Sequence, residues 1–158
     1  MTGVQTCALP ICLINYQATD IGKATIQVLE KNGVHVVIPE QRCCGMPSFD
    51  IGDTAAIQQA ASANVEAFLP WVEKGYEIVV PVPSCSLMWK REYPEIVGGP
   101  EVQRVAERTF DVCEYLMKLK REGALKSMPV VCVTARPPNV IETLSTPSAS
   151  DAAFGKKK

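Results

Sequence analysis

The sequence lacks any apolar run near the ~18 residues that a membrane span requires, so a soluble chain or a peripheral subunit is expected. It also lacks an excess of basic charge. Sixteen Lys and Arg against 17 Asp and Glu leave a net charge of −1, which argues against a nucleic-acid binder and its basic face. There is a single His, His35, which disfavours a Cys–His nucleophile because a catalytic Cys needs a base within reach. No C-x-x-C pair occurs, which removes the usual hook of structural zinc and the usual dithiol redox centre. No internal repeat is visible. What the chain does have is seven Cys in 158 residues. An odd count at uneven spacing reads poorly as a secreted disulfide framework, and intracellular thiols held for metal or redox work fit better. The length suits one domain burying roughly 70% of its unfolded surface, and 47% apolar with 21% charged residues is a globular composition.

Both ends differ from the middle. Residues 1–11 look like a translated sequencing-library adapter and are expected to be non-native; a signal peptide would need a basic start and a longer apolar stretch. Cys7 is therefore set aside. The apolar Ala8-Leu-Pro-Ile11 could still take a first strand's place, with Pro10 confining such a strand to an edge or a terminus. Residues 12–127 hold 12 basic and 15 acidic side chains, whereas residues 128–158 hold four and two and collect Pro, Ser and Thr. The stretch 128–158 is expected to be a divergent or disordered tail.

The middle alternates helix and strand. Thr19 or Asp20 can cap a helix to about Asn32 that Gly33 stops. Val34 to Ile38 is a β-branched run ended by Pro39, of buried-strand type. Asp53 opens a second helix, which Pro70 should kink or restart and Gly75 should end. Ile78 to Val82 is the next strand. Pro100 suits the first position of one long helix to about Glu122, with Val102, Val105, Ala106, Thr109, Val112, Cys113, Leu116 and Leu119 on its apolar stripe. Val130 to Val133 reads as one more strand. This order predicts an α/β fold, a short parallel sheet with flanking helices.

Four cysteines fall at one edge of that sheet. Cys12 follows the apolar Ala8–Ile11, Cys43 and Cys44 follow the strand that stops at Pro39, and Cys85 follows Val82. Ligands of open parallel sheets bind at the carboxyl ends of strands, and each of these thiols stands just before a helix, where the N-terminal dipole favours thiolate. Gly45 allows a sharp turn after the vicinal pair. Two adjacent Cys with two distant single ones suit a polynuclear iron–sulfur cluster, whose irons offer separate ligand positions. Scattered buried thiols are the alternative.

The segments Cys12-Leu-Ile-Asn-Tyr16, Pro39-Glu-Gln-Arg-Cys-Cys-Gly-Met-Pro47, Pro83-Ser-Cys-Ser-Leu-Met88 and Arg91-Glu-Tyr-Pro-Glu95 resemble the cysteine-rich CCG domain family. That family includes subunits of heterodisulfide reductase and of anaerobic glycerol-3-phosphate dehydrogenase, and the iron–sulfur subunit of glycolate oxidase. Thr109-Phe-Asp-Val-Cys-Glu-Tyr-Leu116 is similar to the glycerol-3-phosphate dehydrogenase branch. The likeness runs from Cys12 to about Leu125 and covers a first repeat only, which implies a fragment with a single CCG-type domain at 12–127. It implies an iron–sulfur cluster, of 4Fe-4S type, held by Cys12, Cys43, Cys44 and Cys85, with Gly45 and Arg42 beside it. It implies electron transfer from a flavin-containing dehydrogenase subunit toward the membrane quinone pool, with no substrate chemistry in this chain. A membrane-anchored partner and a cytoplasmic location at the inner face of the cell membrane follow from the same likeness. Thiol/disulfide catalysis at a cluster, and a metal-free docking domain, are the competing readings. Met88 stands where the fuller family pattern has a Cys, so one thiolate fewer is expected.

The remaining residues read as packing or surface. Cys113 is expected to be a buried core thiol, Cys132 a strand residue, and His35 a satisfied or edge histidine. Met46, Met88, Trp71 and Trp89 are expected to pack, and Glu73, Glu77, Glu92 and Glu95 to be solvated.

Overall fold

The computed structural model describes residues 5–7 and 11–124. Four short parallel strands, β1 (Gln5–Cys7), β2 (His35–Val37), β3 (Glu77–Val80) and β4 (Thr109–Asp111), form one sheet in the order β2-β1-β3-β4. In register, Thr6 pairs with Val36 on one side and with Glu77 on the other, and Val79 pairs with Phe110. The helices are α1 (Thr19–Lys31), α2 (Met46–Asp50), α3 (Thr54–Glu73), α4 (Pro83–Leu87), α5 (Tyr93–Ile96), α6 (Pro100–Glu107) and α7 (Val112–Arg121), with π-helical turns at Ile11–Gln17 and Met88–Glu92. The expected α/β fold with a parallel sheet and flanking helices is present. The expected strand at Val130–Val133, with Cys132, lies outside the described residues.

All four residues of β3 are buried because its two faces serve two cores. Ile78 and Val80 join Ile57, Phe68, Trp89, Tyr93 and Val105 from α3 and from the segment after β3. Val79, on the opposite face, joins Leu29 of α1, Val34, and Tyr115 and Leu119 of α7. Period-two alternation in the strand thus feeds three layers, helix, sheet and helix. Each large side chain fully buried this way contributes about 1.5–3 kcal/mol.

Five expectations change, besides that of a buried β2, which lies at the sheet edge with His35 exposed and Val36 and Val37 half-buried. Among the described residues the first strand is Gln5–Cys7, and it lies inside the sheet, between β2 and β3, instead of at an edge; of the apolar residues just before Cys12 only Ile11 is described, and it opens a π-helical turn. A strand that contains no proline keeps every N–H for its two ladders, which is what an interior position demands. Ala18, not Thr19 or Asp20, is the residue that precedes α1. Pro70 sits within the continuous helix α3 and does not restart it; Asp53 caps that helix as read, accepting from the Ala56 N–H at 3.0 Å.

The fourth and largest change concerns residues 100–122, which do not form one helix. Val102 and Val105 of α6 pack on one face of the sheet and Leu119 of α7 on the other. One straight helix cannot reach both faces, so the chain passes between them as β4. Asp111 then restarts the helix: it accepts from the Cys113 N–H at 2.8 Å, while Glu114 accepts from the Asp111 N–H at 2.9 Å, a reciprocal capping box. The restart rotates the stripe, so Cys113 is exposed and is not a core thiol. Buried Tyr115 takes the core-facing place on α7. Fifth, Glu77 is buried and not solvated, because it opens β3 beside Lys118 and the Arg108 guanidinium, the latter at 3.6 Å. Glu73 and Glu95 are exposed as read. His35 is exposed on β2, at the sheet edge.

Two predictions come from this packing. The Tyr115 hydroxyl is buried without a hydrogen-bond partner among the described residues, so Tyr115→Phe should leave stability unchanged or raise it by about 1 kcal/mol. Denaturant melts check this, and a clear loss would mean that the hydroxyl has a partner. The Lys90 ammonium, at 2.6 Å, and the Asp111 N–H hold the Glu114 carboxyl below its ordinary value of 4.5. A carboxyl lowered in the fold stabilises it above the ordinary value, and that contribution is lost as pH falls through the folded value. Glu114→Gln keeps the capping geometry without the charge. It should cost less than about 1 kcal/mol at neutral pH, since the pair is solvent-exposed, and should flatten the fall of melting temperature below about pH 4.5.

Candidate functional site

Beyond β2 the chain runs without regular structure from Ile38 to Cys44 and then turns sharply into α2. Gly45 makes that turn at φ +83°, in the left-handed region that side chains avoid, and Ile57 and Ala60 of α3 lie against its α-carbon side. Pro47 follows within the first turn of α2. Beyond β3, Val82 leads into α4, where Cys85 is the third residue. The two βα loops place Cys43, Cys44 and Cys85 together at the carboxyl end of the sheet. Cys44 shares hydrogen bonds with the side chains of both Cys85 and Cys43, and its sulfur also receives the backbone N–H of Met46. Cys44 and Cys85 are buried, whereas Cys43 is half-buried. Cys85 stands inside a helix, not before one as expected. Cys12 lies on the π-helical turn Ile11–Gln17, five residues beyond β1, and its side chain is outside the described residues.

Two residues hold the vicinal pair in place: Asn64, which sequence reasoning passed over, and Tyr93, which it noted only as part of the Arg91–Glu95 segment. Asn64 of α3 accepts the Arg42 N–H at 2.8 Å and donates to the Cys43 carbonyl at 3.3 Å and to the Tyr93 hydroxyl oxygen at 3.1 Å. Tyr93, the first residue of α5, donates its hydroxyl to the Cys44 carbonyl at 2.9 Å. Both side chains are 0% exposed. The ring of Tyr93 stacks at a tilt on Trp89, 5.5 Å away, and Trp89 meets Phe68 edge-on at 4.9 Å. Asn64 did leave a signal. It is the one polar residue among the buried positions Ile57, Ala61, Val65, Phe68 and Val72 of α3, and a buried amide is costly unless fully bonded.

Arg42 is exposed, and its backbone N–H ties the loop to Asn64. Together with Cys43, Gly45, Pro47, Gln59 and Ala60 it lines an open cleft of roughly 270 Å³ beside Cys43. Met88 is fully buried in the same core as Cys44 and Cys85, the packing role read from sequence. Met46 packs against this core from its rim.

The shared hydrogen bond with Cys85, and then burial, raise the Cys44 thiol far above its ordinary value of 9.0. Burial raises the Tyr93 hydroxyl as well, with the three nearby thiols adding to the shift and Asn64 opposing it. Without metal, Cys44 is therefore held as a thiol. Among the described residues, no three His, Cys, Asp or Glu side chains close into the tight set that a single ion needs. Cys43 and Cys85 each hydrogen-bond to Cys44, so three sulfurs from two parts of the chain meet at one place. The donor chemistry fits an iron–sulfur cluster. Among the described residues, no helix is long and apolar enough to cross a membrane.

Lactate utilization protein A of Bacillus pumilus (strain SAFR-032) is 36% identical over 114 residues, which is 68% of this chain and 46% of that protein. Lactate utilization protein A of Bacillus thuringiensis (strain Al Hakam) is 33% identical over 112 residues, 67% of this chain and 45% of its own length. The chain thus spans somewhat under half the length of these relatives. No solved structure matches. The family model described as the cysteine-rich domain, CCG, matches residues 8–90, a stretch that contains β2, β3, the vicinal pair and Cys85, and the chain belongs to that cysteine-rich CCG domain family.

Proposed function

We propose that the chain is part of an iron–sulfur redox subunit of an oxidoreductase, with Cys43, Cys44 and Cys85 as cluster ligands and Cys12 as the fourth. The observation that supports this reading is the meeting of three thiols, from two separate βα loops, at the buried Cys44. A 4Fe-4S cluster held there supplies one-electron transfer. The chain's own residues would set how that transfer runs. Burial of Cys44 and Cys85 keeps water from two of the sulfurs, and the Met46 N–H donates to the Cys44 sulfur, where it offsets negative charge. Gly45 gives the backbone its close turn at the cluster, and Arg42 offers a cation at the mouth of the cleft.

The electron donor in this proposal is a flavin-containing dehydrogenase subunit, and the acceptor lies toward the membrane quinone pool through a membrane-anchored partner at the inner face of the cell membrane. Among the donor systems with similar subunits, those for glycerol 3-phosphate, glycolate and lactate, the names of the relatives favour lactate.

Anaerobic reconstitution of the full chain with iron and sulfide tests the reading. The wild-type chain should take up iron and acid-labile sulfide in comparable amounts. Cys43→Ser and Cys44→Ser should each abolish loading, whereas Cys113→Ala should load normally and shift stability by no more than about 0.5 kcal/mol, as expected for an exposed position. A wild-type chain without iron would leave only the metal-free docking domain, and turnover of a disulfide substrate by the loaded chain would favour thiol/disulfide catalysis instead.

A further inference from the structure

Asn64 and Tyr93 bring no thiol to the site, yet their polar atoms converge on the backbone of its two adjacent cysteines. We propose that Asn64 and Tyr93 are positioning residues for the vicinal pair: they fix the peptide planes of Cys43 and Cys44 and thereby where the two sulfurs stand around a cluster. This inference rests on the proposed function and adds residues to its site.

The geometry carries it in three steps. First, the loop from Ile38 to Cys44 has no regular structure, so its carbonyls could have been left to water. Two of them instead accept from fully buried side chains lying 21 and 49 residues further along the chain, Cys43 from Asn64 and Cys44 from Tyr93. Second, Asn64 also donates to Tyr93, so the two side chains act as one unit, with the Asn64 oxygen holding the Arg42 N–H at the other end. An apolar residue at 64 would continue the stripe of α3 without the cost of a buried amide, so what the amide adds is orientation. Third, the peptide units are planar and trans. Drawing the carbonyls of Cys43 and Cys44 toward the buried pair turns the N–H groups of Cys44 and Gly45 the opposite way. The left-handed Gly45 then brings the Met46 N–H onto the Cys44 sulfur. Hydrogen bonds to sulfur and solvent access are what set a cluster's potential, so two side chains that never touch iron would control both.

Tyr93→Phe in the full chain is the decisive variant, because it keeps the ring against Trp89 and removes only the hydroxyl. After anaerobic reconstitution it should lose iron to a chelator about tenfold faster than wild type, with an altered paramagnetic resonance spectrum and a displaced midpoint potential. Asn64→Ala should do the same, and the double variant should be little worse than the more severe single one, since both act through one hydrogen-bonded unit. In the metal-free chain, Tyr93→Phe should speed alkylation of the buried Cys44 severalfold, a readout that needs no iron. Tyr115→Phe, which removes a buried hydroxyl from the other core, should leave every one of these readouts at the wild-type value. Wild-type chelation rate, spectrum, potential and alkylation rate in Tyr93→Phe would overturn the inference and leave the proposed function standing. A wild-type chain that takes up no iron would overturn the proposed function, and with it the cluster-positioning role.

Discussion

Everything else in the molecule depends on β3 being buried on both faces. Four residues cannot satisfy two cores unless parallel strands flank them and helices cover both sides, and this constraint fixes the order β2-β1-β3-β4 and the division of helices between the two faces. It also explains why residues 100–121 break into α6, β4 and α7. The chain must pass from one face of β3 to the other, and β4 is the crossing, paired with β3 along its length. The buried Glu77 belongs to the same constraint. As the first residue of β3 it enters the sheet with a carboxylate, and Lys118 from α7 and Arg108 from the end of α6 meet it there. An acidic group at that position is tolerated only because it is paired.

The site is the other end of the same strand. Parallel strands place every βα loop at one edge, so a thiol after β2 and a thiol after β3 are neighbours although 41 residues separate Cys44 from Cys85. Topology brings the loops together, but it does not orient them. Orientation comes from the core beneath, through Phe68, Trp89 and Tyr93 in series and through Asn64 beside them. The packing that holds α3 against the turn after α4 is therefore the packing that holds Cys43 and Cys44. A change in that core should be felt at the thiols before it is felt in the second core, which shares only the strand.

The sequence made the architecture readable where local signals and tertiary demands agreed. β-Branched runs closed by proline or glycine marked β2 and β3, Asp53 and Pro100 marked helix starts, and the thiols could be assigned to strand ends from these alone. It misled where a periodic stripe continued across a boundary. Val105, Thr109, Val112 and Leu116 repeat at helical spacing although Thr109 belongs to a strand, and the sign of the break was the capping pair Asp111 and Glu114, three residues apart inside the stripe. The positioning pair was hidden for a different reason. A buried Asn and a buried Tyr look like ordinary members of apolar faces, and only the fold shows that their partners are two carbonyls in a distant loop. The interior place of β1 was also beyond local reasoning, because strand order is a property of the whole sheet.

The protonation of the site completes the physical picture. In the metal-free fold, Cys44 keeps its proton because the thiol hydrogen-bonds to Cys85 and is buried, so that sulfur packs into the core without an unpaired charge. Under the proposed function a cluster would bind thiolates, so loading would displace the proton that Cys44 retains. The same burial that opposes ionisation without metal strengthens the attraction between thiolate and iron once both are present. Cys43 is half-buried at the cleft, and the Met46 N–H is already placed against the Cys44 sulfur. The backbone that carries these sulfurs is tied to the core by the hydrogen bonds from Asn64 to the Cys43 carbonyl and from Tyr93 to the Cys44 carbonyl, so the same packing that buries Cys44 also fixes the chain on which it stands.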